Sequence, residues 1–386
     1  MASGLLPELQ PEEANTEYAI SRAPLQPAPS LELETRTYQT EMGRISRQSG
    51  IVFAGTIFTA ALSYVFKVYL ARVLGAEALG IYALGMTIIS FLGMINVLGL
   101  PDSAMRFVAL YAASKKFEAL RSLLWNGTWI LLATNLIFAV LLLEVGPWIA
   151  TRFYHSPKLE AYLPWFALIM IVGAINGFLE KVLAGYKEVG RRTVITRFVA
   201  SPTTMAVTVL LLALGAGLRG YLAGQIVSAV LVTLLLGSLV WRLTPVAARS
   251  GNVKLVIERE VWSFSAAMFG VGLLELVIAQ SDRVVLGFYR GARDVGIYAI
   301  ASALVAYEPV ILQSVNQIFA PVIADIHTRG DLALLGRLFQ TLTKWMLGLT
   351  LPLAMVIIFY ARPIMRIFGH DFEAGWPIVV LSLIHI

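Results

Sequence analysis

The sequence is constrained above all by long apolar stretches, each near the length of about 20 residues that a helix needs to cross a membrane. Nine such stretches occur, and a tenth begins near Trp376; the nine are 51–73, 79–100, 123–149, 163–185, 198–218, 221–241, 261–287, 295–322 and 338–360. Transmembrane barrel strands would alternate in polarity over about ten residues instead. Because a helix satisfies its own backbone groups in lipid, the pattern predicts an all-α integral membrane protein.

Composition excludes several other classes. Only 14% of the residues are charged, against about 25% in soluble domains. Cysteine is absent, which excludes a disulfide framework and thiolate chemistry. The net charge of +6 is read as loop charge that orients spans, so no nucleic-acid partner is predicted. No phosphate-binding P-loop occurs, and we expect neither a cofactor nor a metal.

Lysines and arginines beside the spans predict the orientation. Seventeen of these cations flank one end of the spans and eight flank the other. Because positive loops remain in the cytosol, the N-terminus is predicted to be cytosolic in a multi-pass protein of the plasma (inner) membrane. Residues 1–43 hold seven glutamates and two arginines, with several prolines. They are predicted to form a disordered cytosolic tail.

The two halves of the chain overlay at a constant offset of 216 residues. Residues 75–83 match 291–299 at six of nine positions, and the same register pairs Trp129 with Trp345. Six spans separate equivalent positions, so both copies face the same way, related by an axis along the membrane normal. We therefore predict two parallel six-helix lobes around a central cavity, with spans 1–6 forming the N-lobe at residues 44–250.

The second copy is shorter than the first. Residues 251–380 supply spans 7–9 and part of a tenth, so the C-lobe is predicted to be truncated. The last six residues, 381–386, match the translation of a transposon end that is used to build sequencing libraries. We expect these residues to be a sequence artefact and the natural chain to continue.

Three segments resemble the polysaccharide-biosynthesis flippases: YLARVLGAEALGIYALG (69–85), QSDRVVLGFYRGARDVGIYAIA (280–301) and QSVNQIFAPVIADIHTRGD (313–331). That family shares a superfamily with the multidrug and toxic-compound extruders and the lipid II flippases. The resemblance covers residues 44–376 and implies a central cationic cavity that opens alternately to the two sides of the membrane. It implies a polyprenyl-diphosphate oligosaccharide as cargo, with membrane lipids and polysaccharide-assembly proteins as partners.

Four polar residues follow helical spacing on the first span and share one face: Thr56, Thr59, Ser63 and Lys67. The repeat aligns Lys67 with Arg283, so each lobe carries a cation at the same level. A diphosphate in a low-dielectric cavity needs such charge. We predict that these five residues and Gln280 line the substrate cavity. The alternatives are that the two cations extend to the outer interface and that Gln280 bonds a neighbouring helix.

Three acidic residues in or beside the later spans are candidates for ion coupling: Glu275, Asp282 and Glu308. A carboxyl group within a membrane span is costly and is often part of a proton path. Alternatively, these carboxylates form ion pairs with Arg283 or Lys67. Glu180 and Lys181 lie at a cytosolic helix end and are assigned to the membrane interface.

The sequence thus predicts a transporter and not an enzyme, with no catalytic residues. We expect a flippase that moves lipid-diphosphate-linked oligosaccharide to the outer leaflet for polysaccharide, lipopolysaccharide or capsule biosynthesis. An ion-coupled exporter of cationic drugs with the same fold is the alternative, although its cavity should be anionic. A membrane glycosyltransferase or ligase would need a larger external loop than the longest one here, about 150–162.

Overall fold

The computed structural model of the protein describes residues 31–249, 257–306, 323 and 332–384. Side chains are described from Phe58 onward, except those of Leu332, Leu349 and Ile384. The chain divides into two compact units, Met1–Gln48 and Ser49–Ile386. In the first unit the described residues are helical from Leu31, inside the segment predicted as a tail.

The described chain before residue 250 forms eight α-helices: α1 (Leu31–Asn96), α2 (Leu100–Ala113), α3 (Phe117–Trp148), α4 (Leu163–Gly185), α5 (Val189–Thr193), α6 (Ala200–Ala213), α7 (Gly217–Leu243) and α8 (Val246–Arg249). A π-helical turn at Ile149–Phe153 and a 3-10 helix at Pro157–Tyr162 connect α3 to α4. A second π-helical turn, Val194–Val199, joins α5 to α6.

The described residues from 257 onward form five more helices: α9 (Arg259–Tyr289), α10 (Ala292–Val305), α11 (Leu332–Phe359), α12 (Ala361–Phe368) and α13 (Trp376–Ile384). A 3-10 helix at His370–Gly375 precedes α13. No strand occurs in the part of the chain that the structure describes. The predicted all-α architecture is confirmed.

Helix α1 contains two of the predicted spans. The helix is interrupted only at Gly75, where the chain bends, and it continues directly after that residue. Gly75 has φ 78° and ψ 175°, a backbone conformation that is unfavourable for residues other than glycine. The arm before Gly75 carries Lys67, and the arm after it carries Tyr82. The bend lets both arms face the same interior.

Seven helical stretches of the described chain have the length and apolarity needed to cross a bilayer. Their outer faces expose large apolar side chains, such as Ile278 and Phe359, each 79% exposed. A soluble protein rarely leaves such surfaces in water, whereas lipid accommodates them. The chain is therefore a multi-pass membrane protein.

Helices α4, α6 and α7 pack closely and position the cavity described below. A methyl group at Gly224 of α7 would overlap the hydroxyl of Thr208 on α6. Close packing at small residues is the usual way that helices associate in a membrane. Asn96, at the end of α1, donates through Nδ2 to Oδ1 of Asn135 on α3 at 2.8 Å, a buried hydrogen bond that joins these helices.

The two copies of the repeat touch each other through equivalent residues. A Cβ at Gly80 would lie 3.0 Å from the backbone nitrogen of Gly296 and overlap the carbonyl oxygen of Ala292. Reciprocally, a Cβ at Gly296 would lie 2.8 Å from the backbone nitrogen of Gly80 and overlap the carbonyl oxygen of Ala76. The offset of 216 converts the first contact into the second, which is the pattern of a two-fold, self-complementary interface.

Candidate functional site

A cavity of about 430 Å³ lies among α1, α4, α6 and α7, and we call it the N-terminal cavity. Its volume falls in the range of small-ligand sites, about 300–1,000 Å³. Apolar walls alternate with polar groups, which are Ser63, Lys67, Tyr82, Asn176, Glu180, Thr196, Ser201, Thr204, Tyr221, Gln225 and Ser228. A polar interior inside a membrane bundle marks a path or binding site for a hydrophilic ligand.

Lys67 and Ser63 reach the N-terminal cavity from the first arm of α1. They are one turn apart on the face that the sequence spacing indicated. Both residues are half-buried. Lys67 therefore places an ammonium group in a cavity within the bundle.

Three aromatic residues, Phe66, Tyr82 and Tyr221, line one part of the cavity, and we call them the aromatic wall. The rings of Tyr82 and Tyr221 are 4.8 Å apart between centroids, and Phe66 packs edge-on to Tyr221 at 6.0 Å. Gln225, one turn along α7 from Tyr221, donates through Nε2 to the hydroxyl of Tyr82 at 2.8 Å. The wall combines apolar ring faces with polar groups that are held in fixed positions.

Glu180 reaches the cavity from the other end, together with Asn176 one turn earlier on α4. Asn176 is held by α7, because its Nδ2 donates to the carbonyl of Ala229 at 3.2 Å and its Oδ1 accepts from Thr233 at 2.7 Å. Glu180 forms no ion pair or hydrogen bond with another described residue, and the cations that act on it electrostatically are Arg192, Arg197 and Lys181. Lys181 itself pairs with Asp102 of α2 at 2.5 Å. The assignment of Glu180 to the interface missed its position in the cavity.

Arg283 lies on α9, near enough to Lys67 for the two positive charges to repel each other. Its Nη1 donates to Oε1 of Gln280 at 3.0 Å, whereas its Nε is buried and has no hydrogen-bond partner among the described residues. Asp282 accepts a hydrogen bond from Tyr298 of α10 at 2.5 Å. The two predicted cations thus act on each other electrostatically, one from each copy of the repeat.

The remaining predicted residues lie elsewhere. Thr59 is buried, at 7% exposure, and Glu275 is exposed on α9. The side chain of Thr56 and all of Glu308 lie outside the described residues. Among the residues that are described, no group of three acidic or histidine side chains is placed to hold a metal ion.

Sequence reasoning missed Asn176, Glu180 and Gln225, which come from helices other than α1. One signal was present, since Asn176 and Glu180 are four residues apart and share a face of α4. That spacing does not say whether the face is directed toward lipid, a neighbouring helix or a cavity. Only the packing of α4 against α7 decides it.

Comparison with known proteins gives a family and a fold. The family model described as "Polysaccharide biosynthesis protein" matches residues 45–327, which is more than half of the chain. No curated protein matches the chain significantly. The resemblance seen in the sequence is confirmed by the family match.

Among solved structures, the inward-facing conformation of a multidrug resistance MATE family transporter of the MOP superfamily is similar to this chain. It aligns with a TM-score of 0.65 at 14% identity over 84% of this chain and 76% of that chain. An outward-facing conformation of a transporter of the same description aligns with a TM-score of 0.44 at 15% identity, over 88% and 84% of the two chains. The first alignment shows a shared fold.

Proposed function

We propose, on the premise that this chain belongs to the polysaccharide biosynthesis protein family, that it is a transporter that moves a lipid-diphosphate-linked oligosaccharide across the membrane. The family and the MATE-like fold support a membrane transporter. The cargo is our inference from the charges of the site. Transport would run from the cytosolic to the outer leaflet, with the N-terminus in the cytosol.

The observation that carries the proposal is that two cations, Lys67 and Arg283, act on each other across the two copies of the repeat. Lys67 faces a polar cavity, and Arg283 lies close enough to repel it. Two cations that act on each other raise the energy of the empty site. A diphosphate relieves that repulsion and forms charge-assisted hydrogen bonds with both groups. The buried Nε of Arg283, for which the described residues supply no hydrogen-bond partner, is a further donor for such an anion.

Movement of the cargo would follow from rocking of the two lobes about their shared contact. The reciprocal contact at Gly80 and Gly296 lies beside the Gly75 bend of α1, which the predicted orientation puts on the outer side of the membrane. While this contact holds the two lobes together on the outer side, the space between them would be open to cargo from the cytosolic side. The prenyl tail would remain in lipid while the diphosphate passes between the cations.

The proposal is tested with the purified chain in proteoliposomes that contain a fluorescent polyprenyl-diphosphate oligosaccharide and receive a membrane-impermeant quencher. We expect wild-type protein to expose lipid from the inner leaflet to the quencher. Charge reversal in Lys67→Glu with Arg283→Glu should abolish that exposure. The matched control is Lys187→Glu with Arg290→Glu, which makes the same charge change at two exposed positions.

Equal transport by the site variant and the control would refute the assigned role of the two cations. Failure of wild-type protein to move the lipid, together with proton- or sodium-driven efflux of a cationic dye, would favour the drug exporter instead. Transfer of the sugar to another acceptor would establish an enzyme.

A further inference from the structure

The N-terminal cavity is elongated, and its two ends differ chemically. Its wall on α7 runs from Tyr221 to Val232, a rise of about 16 Å at 1.5 Å per residue. Lys67 and the aromatic wall lie toward one end, and Glu180 lies toward the other. A slot of this shape suits an extended polar molecule better than a compact ion.

Three polar groups in the slot have no partner among the described residues. Ser63 and Ser201 form no hydrogen bond there, although helix serines commonly bond the carbonyl one turn earlier, and Glu180 forms none either. Polar groups inside a bundle are costly unless something satisfies them. The slot therefore offers two hydroxyls and one carboxylate to a ligand.

Sugars match this combination of groups. The apolar C–H face of a pyranose ring packs on an aromatic ring such as Tyr82 or Tyr221, while its hydroxyls bond amides, hydroxyls and carboxylates around the rim. Gln225 is held against Tyr82 by its 2.8 Å hydrogen bond, and so presents a fixed polar group beside the ring.

We propose that the N-terminal cavity is the subsite for the sugar part of the cargo, with the Glu180 carboxylate accepting hydrogen bonds from sugar hydroxyls. The inference rests on the proposed function, because the diphosphate at Lys67 and Arg283 fixes where the sugar begins. Glu180 lies toward the opposite end of the slot from Lys67, so a diphosphate held at Lys67 and Arg283 leaves the Glu180 end to the neutral sugar.

The test compares two probes, undecaprenyl diphosphate and the same lipid carrying N-acetylglucosamine, bound to the purified chain in detergent and measured by native mass spectrometry. We expect the sugar-bearing lipid to bind wild-type protein more tightly. Glu180→Gln should weaken that lipid about tenfold, as expected for loss of a hydrogen bond to a charged group, and leave undecaprenyl diphosphate unchanged. Ser63→Ala should act with the same selectivity.

The matched control is Glu144→Gln, which removes an exposed carboxylate on α3 and should change neither affinity. The sugar subsite is overturned if Glu180→Gln weakens both lipids equally or neither. It is also overturned if tetraphenylphosphonium binds wild-type protein and only that binding is lost in Glu180→Gln, since the slot would then hold cations. A different result would refute the proposed function itself: undecaprenyl diphosphate without sugar would bind the Lys67→Glu, Arg283→Glu variant as tightly as it binds wild-type protein.

Discussion

Replacing Gly80 or Gly296 by alanine tests the contact between the repeat copies. At each position a Cβ would overlap a backbone carbonyl oxygen of the other copy, that of Ala292 or of Ala76. Backbone cannot rotate away as a side chain can, so the two helices must separate. We therefore expect both substitutions to destabilise the protein, and by similar amounts because the contact is reciprocal.

The expected cost is about 1–3 kcal/mol for each alanine, the usual penalty for adding a methyl group to a well-packed contact. Two glycines serve as controls, since a Cβ at Gly93 in α1 or Gly270 in α9 would meet nothing within 4 Å. At those positions alanine should stabilise the helix by up to about 1 kcal/mol, because glycine is the poorer helix former.

The free energy of unfolding is measured for the detergent-solubilised protein by denaturant titration followed by tryptophan fluorescence. Because both glycines occupy one contact, the double variant should cost less than the sum of the single variants, with a coupling of about 0.5–3 kcal/mol. The reasoning would be wrong if Gly80→Ala were as stable as Gly93→Ala, or if the two costs were fully additive.

Two further predictions concern groups outside the spans. Hydrogen bonding to Arg362 at 2.6 Å lowers the pKa of the Glu373 carboxyl, so the pair stabilises the protein at neutral pH and loses that contribution as pH falls through the lowered pKa. The melting temperature of Glu373→Gln should consequently fall less than that of wild-type protein on acidification, as scanning fluorimetry can show. Tyr111 is buried, its hydroxyl donates to Glu258 at 2.6 Å, and burial raises its pKa, so the hydroxyl stays protonated as a donor at neutral pH. Tyr111→Phe removes this hydrogen bond and should lower the free energy of unfolding by about 0.5–1.5 kcal/mol. A denaturant titration at neutral pH measures the change, and an unchanged midpoint would contradict the prediction.

The helical membrane fold could be predicted from sequence because lipid allows few solutions for a long apolar stretch. The register of the repeat could also be read directly, since residues 75–83 and 291–299 match without a gap. The sequence did not show that two predicted spans would form one bent helix, α1. Residues 74–78 lay between the predicted spans 51–73 and 79–100, and there a single residue with positive φ, Gly75, is enough to redirect the helix.

The site could be predicted only in part, because spacing along one helix defines a face but not what that face meets. Lys67 and Ser63 were found from the spacing on α1, and both line the N-terminal cavity. Glu275 was predicted from its position within a span, and it is exposed on α9. Glu180 was missed because its position near a helix end resembles that of an interfacial residue. Burial of this kind depends on contacts between α4, α6 and α7 that no local pattern encodes.

The repeat gives a physical reason for the two lobes to contribute unequally to binding. Lys67 aligns with Arg283, so a cation is present in both copies, whereas Ser63 aligns with Ala279, which has no hydroxyl. Two cations at equivalent positions suit an anion near the axis, because each lobe supplies a charge of the same sign. The hydroxyls and the carboxylate that line the N-terminal cavity suit a sugar that extends into that side. A cargo held in this way has one orientation, and its orientation is fixed before the lobes move.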